Sequence, residues 1–176
     1  MTLKLVRHPT SDAPAVSHIE AHAARDGARL SLTSALAGDL ARLAIPARAA
    51  PARADELWRH TCFEAFVRAA PGDAYLEFNF APSTNWAAYR FTSYRDGIRR
   101  AEIAPPAIEV ETAPDRLTLA ASVDLSTLPD LAAAERWRIA LTAVIEDAAG
   151  ALSYWSLAHT PGRPDFHHSA GFEVEL

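Results

Sequence analysis

Sulfur is nearly missing from this sequence: Cys62 is the only cysteine and Met1 the only methionine. A lone thiol excludes an intrachain disulfide and any zinc site that needs two thiolates from one chain. A basic excess is missing as well. Seventeen Lys and Arg stand against 22 Asp and Glu, a formal charge of -5, so neither a phosphate-neutralising nucleic-acid binder nor a polybasic membrane attachment is expected. No window reaches the ~18 apolar residues of a membrane span. The opening residues, MTLKLVRHP, lack the roughly 7–15-residue apolar stretch of a signal peptide. The expectation is therefore a soluble protein of the reducing cytoplasm. P-loop, Rossmann glycine, GxSxG and HExxH patterns are all absent, as are internal repeats and low-complexity blocks.

What is present points to strands. With no linker long enough to divide it, the chain reads as one domain over residues 1–176. Residues 75–80 alternate, with Leu76, Phe78 and Phe80 on one face and Tyr75, Glu77 and Asn79 on the other. Leu30, Leu32, Ser34 and Leu36 keep the same period of two, as do Leu117, Leu119, Ala121 and Val123, and Trp137, Ile139, Leu141, Ala143 and Ile145. Turn residues fall between these runs at Asp26-Gly27, Pro114-Asp115 and 148–150, which implies hairpins and antiparallel pairing. Residues 41–55, rich in Ala and Arg and broken by Pro46 and Pro51, read as a short strand to Ile45 followed by an irregular connection. Only residues 128–136 suggest a helix, and a brief one. The expected architecture is all-β: an antiparallel sandwich of about ten strands with very little helix.

Three segments carry groups capable of chemistry. The first, LWRHTCFEAFV at 57–67, read as a strand, places Trp58, His60, Cys62 and Glu64 on one side. Packed half-buried residues explain that pattern better than Cys-His catalysis, because His60 is an awkward partner for a thiol two residues away. The second, YLEFNFAPSTNWAAYRFTSY at 75–94, joins the polar face of Glu77 and Asn79 to Trp86, Arg90 and Tyr94. Aromatic rings beside carboxylate, amide and guanidinium groups suit a sugar, whose apolar ring faces stack and whose hydroxyls take the polar groups. Trp86 fits core and site equally, whereas Tyr89 is expected in the core. The third, YWSLAHTPGRPDFHHSAGF at 154–172, reads as an ordered loop holding His159, Asp165, His167 and His168. Its His-x7-His spacing does not match zinc sites, so these histidines are expected to bond backbone carbonyls. Glu64 and Glu77 could also be proposed as the carboxylate pair of a glycoside hydrolase.

Together, LWRHTCFEAFV, AYLEFNFAPSTNWAAYRF at 74–91 and SLAHTPGRPDFHHSAGF at 156–172 resemble the bacterial DOMON-like domains, which are related to the family 9 carbohydrate-binding modules. The resemblance runs from about Leu30 onward. It rests on Trp58 followed six residues later by Glu64, on the E-F-x-F-x-P-S run from Glu77, and on the late F-H-H at 166–168. It implies an immunoglobulin-like or jelly-roll-like sandwich that binds a ligand without catalysis. By motif, Glu64 matches an acidic position of the family, and Asn79 falls where some relatives carry arginine. The expected ligand is a carbohydrate or a cell-wall saccharide, held by Trp58, His60, Glu64, Glu77, Asn79, Trp86, Arg90, Tyr94, His159 and His167, with no cofactor and no metal. Haem is the alternative ligand. With Met1 the only methionine, it would require two histidines, His60 and His159 among them.

Overall fold

A computed structural model of the protein describes residues 2–176. Twelve strands make up its frame: β1 (Leu3–Arg7), β2 (Val16–Asp26), β3 (Arg29–Gly38), β4 (Cys62–Ala70), β5 (Tyr75–Phe80), β6 (Trp86–Phe91), β7 (Arg99–Arg100), β8 (Ala107–Ala113), β9 (Arg116–Asp124), β10 (Arg136–Glu146), β11 (Leu152–Ser156) and β12 (Val174–Glu175). One helical turn, Pro129–Ala132, and three short 3-10 turns complete the described elements. Pairing is antiparallel throughout the named strands, in the order β7-β6-β5-β4-β10-β11-β1-β2-β3-β9-β8, with β12 beside β10. β1 belongs to both halves of this order: Leu3–Leu5 pair with β2, and Val6 and Arg7 pair with β11. The long sheet curls at this strand into two layers and closes on one core, a β-sandwich as the alternation predicts.

Period two explains which side chains fill that core. Leu30, Leu32 and Leu36 from β3, with Leu117, Leu119, Ala121 and Val123 from β9, face Phe63, Ala65, Val67, Leu76, Phe78 and Phe80 from the other layer. Trp137, Ile139, Leu141, Ala143 and Ile145 bring in the inner face of β10. Trp137 is fully buried. Its indole N–H donates to the Leu131 carbonyl at 2.9 Å, so the helical turn closes that end of the sandwich while satisfying the one polar atom of the ring. The expected hairpin turns are present, and Gly27 and Gly150 take the positive φ angles of 56° and 85° that these reversals require.

Two local expectations are corrected. Residues 41–45 form no strand: Leu40–Arg42 is a 3-10 turn, and only a single bridge, Leu43 to Asp147, follows it. Nor is 57–67 one strand, because Leu57–Arg59 is a 3-10 turn and β4 begins at Cys62. Glu56 before this turn has φ 60°, a left-handed backbone that breaks the alternation ahead of Cys62.

Residues 62–67 of β4 and all of β5 are buried on both faces. Behind the main core, the outward faces of Phe66, Tyr75, Phe91 and Ala140 meet Phe172 in a second apolar cluster, with Tyr89 and Phe166 packed against it. The C-terminal segment therefore lies over the outer surface of this layer. That covering turns an exposed sheet face into a walled cavity.

Candidate functional site

The cavity has a volume of about 730 Å³, inside the roughly 300–1,000 Å³ range of small-ligand pockets. Its floor is the outer face of β4, β5, β6, β10 and β11, which presents Glu64, Phe66, Glu77, Tyr89, Phe91, Val144 and Tyr154. Three irregular segments wall it: 55–58 with Asp55 and Trp58, 95–100 with Arg95, Ile98, Arg99 and Arg100, and 164–167 with Pro164, Phe166 and His167. At the mouth, Trp58 is 45% and Ile98 62% exposed. Large apolar surfaces so open to water at the rim of a polar floor are characteristic of binding sites.

Two buried carboxyl groups dominate the floor. Register places Glu64 opposite Asn79 and Glu77 opposite Phe66, so the two glutamates are diagonal neighbours on one face. The Thr142 hydroxyl donates to Glu64 Oε2 at 3.0 Å, and the Asn79 amide donates to Glu77 Oε1 at 2.8 Å. Burial, and then the charge of Glu77, hold Glu64 well above the ordinary carboxyl range, with Thr142 opposing. Burial likewise raises Glu77, against the Asn79 hydrogen bond and the charge of Arg95. Like charges this close and this dry do not both ionise readily. The pair therefore binds a proton more readily than a free carboxyl does.

His167 closes the floor from the tail. The Arg95 backbone N–H donates to the Tyr75 hydroxyl at 3.1 Å, and that hydroxyl lies 2.8 Å from His167 Nδ1. Donation of the phenol proton to Nδ1 corresponds to the neutral Nε2–H tautomer, whose Nε2 lies 3.7 Å from Glu77 Oε2. Burial, then the charge of Arg95, lower the His167 pKa to about 4. Nitrogen NMR should show a neutral Nε2–H imidazole for His167 throughout pH 5–8, titrating only near pH 4. Because the folded value lies below the unfolded value of ~6.5, this histidine's contribution to stability is complete above that pH and declines as pH falls toward 4. An imidazolium at pH 6 would contradict the assignment.

The rim is tied by ion pairs. Asp55 accepts from the Tyr89 hydroxyl at 2.8 Å and pairs closely with Arg100. Arg100, then Tyr89, lower the Asp55 pKa. Burial and the Asp55 carboxylate push the Tyr89 phenol up to about 12. Asp165 joins Arg95 at 2.8 Å and the Tyr94 hydroxyl at 2.6 Å.

Of the ten residues singled out by sequence, Trp58, Glu64, Glu77 and His167 meet in this cavity. Asn79 lies behind it, fully buried, with its amide spent on Glu77 and its carbonyl oxygen 3.7 Å from the Cys62 sulfur. It positions a floor residue and lines nothing. Tyr94 stands outside, holding Asp165.

The other four are placed elsewhere. Trp86 is 4% exposed in the main core, beneath the Arg53 guanidinium at 4.4 Å. Arg90 shares its face of β6 and pairs with Asp130 at 2.6 Å. Both lie an even number of residues apart and an odd number from Tyr89, so alternation puts them on the opposite face from the floor. His60 lies 2.7 Å from Glu146 with a mostly exposed side chain. His159 Nε2 lies 2.8 Å from the Val6 carbonyl, and its ring makes an edge contact with His8. Neither histidine named for haem lines the cavity.

Tyr89, expected in the core, is a floor residue instead, and Asp55, Arg95, Arg99 and Arg100 were missed altogether. The alternation across the 75–91 hairpin could have revealed Tyr89, since Glu77 and Tyr89 are register partners. Asp55 and Arg95 stand outside strands, and Arg99 and Arg100 form the two-residue β7, too short for a period to show. Among the described residues no group of three or more His, Cys, Asp or Glu side chains is placed to hold a metal ion, and no helix is long and apolar enough to cross a membrane.

No known family profile matches the chain, and no curated protein matches it. Among solved structures it is similar to a candidate carbohydrate-binding protein from Bacteroides uniformis, at 13% identity and a TM-score of 0.67 over 98% of this chain and 84% of that one. It is also similar to a family 9 carbohydrate-binding module from Caldicellulosiruptor kristjanssonii in complex with glucose, at 10% identity and a TM-score of 0.51, covering 87% of this chain and 72% of that one. The same module in complex with cellotriose matches with a TM-score of 0.53 at 10% identity, over 87% and 70%. At these identities the likeness is one of fold.

Proposed function

We propose that the protein is a non-catalytic saccharide-binding domain and that the 730 Å³ cavity is its site. The observation that carries this reading is the make-up of the cavity. Trp58 at the mouth and the half-buried Tyr89 offer apolar ring surfaces, while Glu64 and Glu77 on the floor supply acceptors and the rim arginines donors. This is the division of labour that a sugar needs, with apolar ring faces and polar equatorial groups. Fold similarity to modules that hold glucose and cellotriose supports it. The DOMON-like relationship, the single-domain organisation and a cytoplasmic setting belong to the same proposal. Cys62 is compatible with that compartment as a free, buried thiol.

Titration calorimetry against glucose, glucosamine and cello-oligosaccharides tests the reading, with a glycan array to widen the search. Binding is expected to be weak, roughly millimolar to micromolar, since each hydroxyl exchanges water for protein. It should be lost when Tyr89 and Trp58 are both replaced by alanine in a protein that still melts cooperatively. Absence of binding to every glycan would overturn the proposal. The buried carboxyl pair is the one feature that favours a hydrolase instead. Turnover of aryl glycosides, abolished in both Glu64→Gln and Glu77→Gln, would establish that reading in its place.

A further inference from the structure

We infer that the cavity floor is a docking site for the ammonium group of a protonated primary amine, which makes an amino sugar the ligand class. This rests on the saccharide reading above and sharpens it. The first ground is the unfilled valence of the floor. Glu64 is buried, yet only its Oε2 has a hydrogen-bond donor among the described residues, and it lines the cavity. Glu77 is buried too, and its Oε2 has nothing nearer than His167 Nε2, at 3.7 Å. When the pair is ionised, two acceptor oxygens on adjacent strands are thus open toward the same space. A neutral hydroxyl can satisfy one of them with its single proton, whereas an ammonium carries three donors and a charge.

The second ground is the distribution of charge around that space. The cation that reaches the floor electrostatically is Arg95, and its guanidinium is held by Asp165. Arg100 is spent on Asp55 at the rim, and Arg99 lines the wall as an exposed residue. The remaining titratable neighbours of the pair bring no positive charge at neutral pH. His167 is a neutral donor, Tyr75 and Tyr89 are phenols raised above their ordinary range, and Cys62 behind Asn79 is a thiol raised by burial. Two carboxyls therefore line the cavity without a cation of their own, and a ligand ammonium is the complementary partner.

Arrival of that charge lowers the proton affinity of the pair, so binding displaces to solvent whatever proton the pair holds. Affinity must then rise with pH while the ligand amine stays protonated.

The test compares D-glucosamine, N-acetyl-D-glucosamine, D-glucose and cyclohexylamine by calorimetry at about pH 5 and pH 6.5, where both amines stay protonated, in buffers of differing ionisation heat. Glucosamine should bind about tenfold more tightly than glucose or the acetylated sugar, the difference expected when a charge-assisted hydrogen bond replaces a neutral one. It should also release protons and gain affinity at the higher pH. Glu64→Gln and, separately, Glu77→Gln should reduce glucosamine to the affinity of glucose. Equal binding of glucose and glucosamine would overturn the ammonium site and leave the saccharide reading standing. Equal binding of cyclohexylamine and glucosamine would support the ammonium site and overturn the saccharide reading. Failure of all four probes would overturn the ammonium site, and a silent glycan array besides would overturn the saccharide reading as well.

Discussion

Replacing Trp86 by alanine should cost about 3–5 kcal/mol of stability, whereas Trp58→Ala should leave stability within about 0.5 kcal/mol of the parent and weaken ligand binding. The two rings fit the same sugar-stacking pattern in sequence, but their surroundings differ. Trp86 is sealed between Phe80 and its neighbours on the inner face of β6. Above it lies Arg53, whose guanidinium also donates to the carbonyls of Ala88 and Ala101 at 3.3 and 2.8 Å. Removing the indole opens a cavity in the core and leaves that guanidinium over empty space. Trp58 stands at the mouth of the site, nearly half exposed, on a turn with Arg59 stacked at 5.4 Å. Its loss removes a surface that only a ligand covers. Urea denaturation of both variants, paired with calorimetry on a glycan that the parent binds, decides the matter. Unchanged stability in Trp86→Ala, or a collapse of stability in Trp58→Ala, would reverse these assignments.

Glu64→Gln should raise the melting temperature at pH 7.5 by ~3–8 °C, from about 1–3 kcal/mol of relieved burial. The sign follows from proton linkage. Burial and Glu77 raise the folded pKa of Glu64 above its unfolded value, so this residue favours the folded state fully below the unfolded pKa, and that benefit is lost as pH climbs through the folded value. Glutamine keeps the size and can still accept from Thr142, but it never ionises. The gain in melting temperature over the parent should therefore be near zero at pH 4 and grow steadily toward pH 8. His167 contributes with the opposite slope in both proteins and cancels in the difference. A melting temperature that falls on substitution at neutral pH would mean that the carboxylate is paired more favourably than its surroundings show. Stabilisation together with weaker binding of an amine would identify Glu64 as a residue kept at a cost to folding.

Most strands were legible in the sequence because a strand buried on one side announces itself by period two. Leu117 to Val123 and Trp137 to Ile145 alternate without a break, and the structure places both rows in the core. The same parity, carried through the hairpin of β5 and β6, separates Glu77 and Tyr89 from Trp86 and Arg90. The expectation of Trp86 and Arg90 at the site passed over that parity and followed residue chemistry instead.

By itself, then, the sequence determined the all-β class, the hairpin reversals at Gly27 and Gly150, the inward rows of the sandwich, and Glu77 and Asn79 as polar groups on one strand face. These are consequences of local geometry, the alternation of Cβ directions and the positive φ that tight turns demand, and they need no distant contact. Only the tertiary structure decided that this face would be a cavity. It did so by laying 164–167 and Phe172 from the end of the chain over strands formed nearly a hundred residues earlier, and by setting Asp55 and Arg95–Arg100 around them. Asp55 and Arg95 follow no period and β7 is too short to show one, and the field that raises the Glu64 pKa depends on burial by these remote segments, so both arise only once the chain has closed on itself.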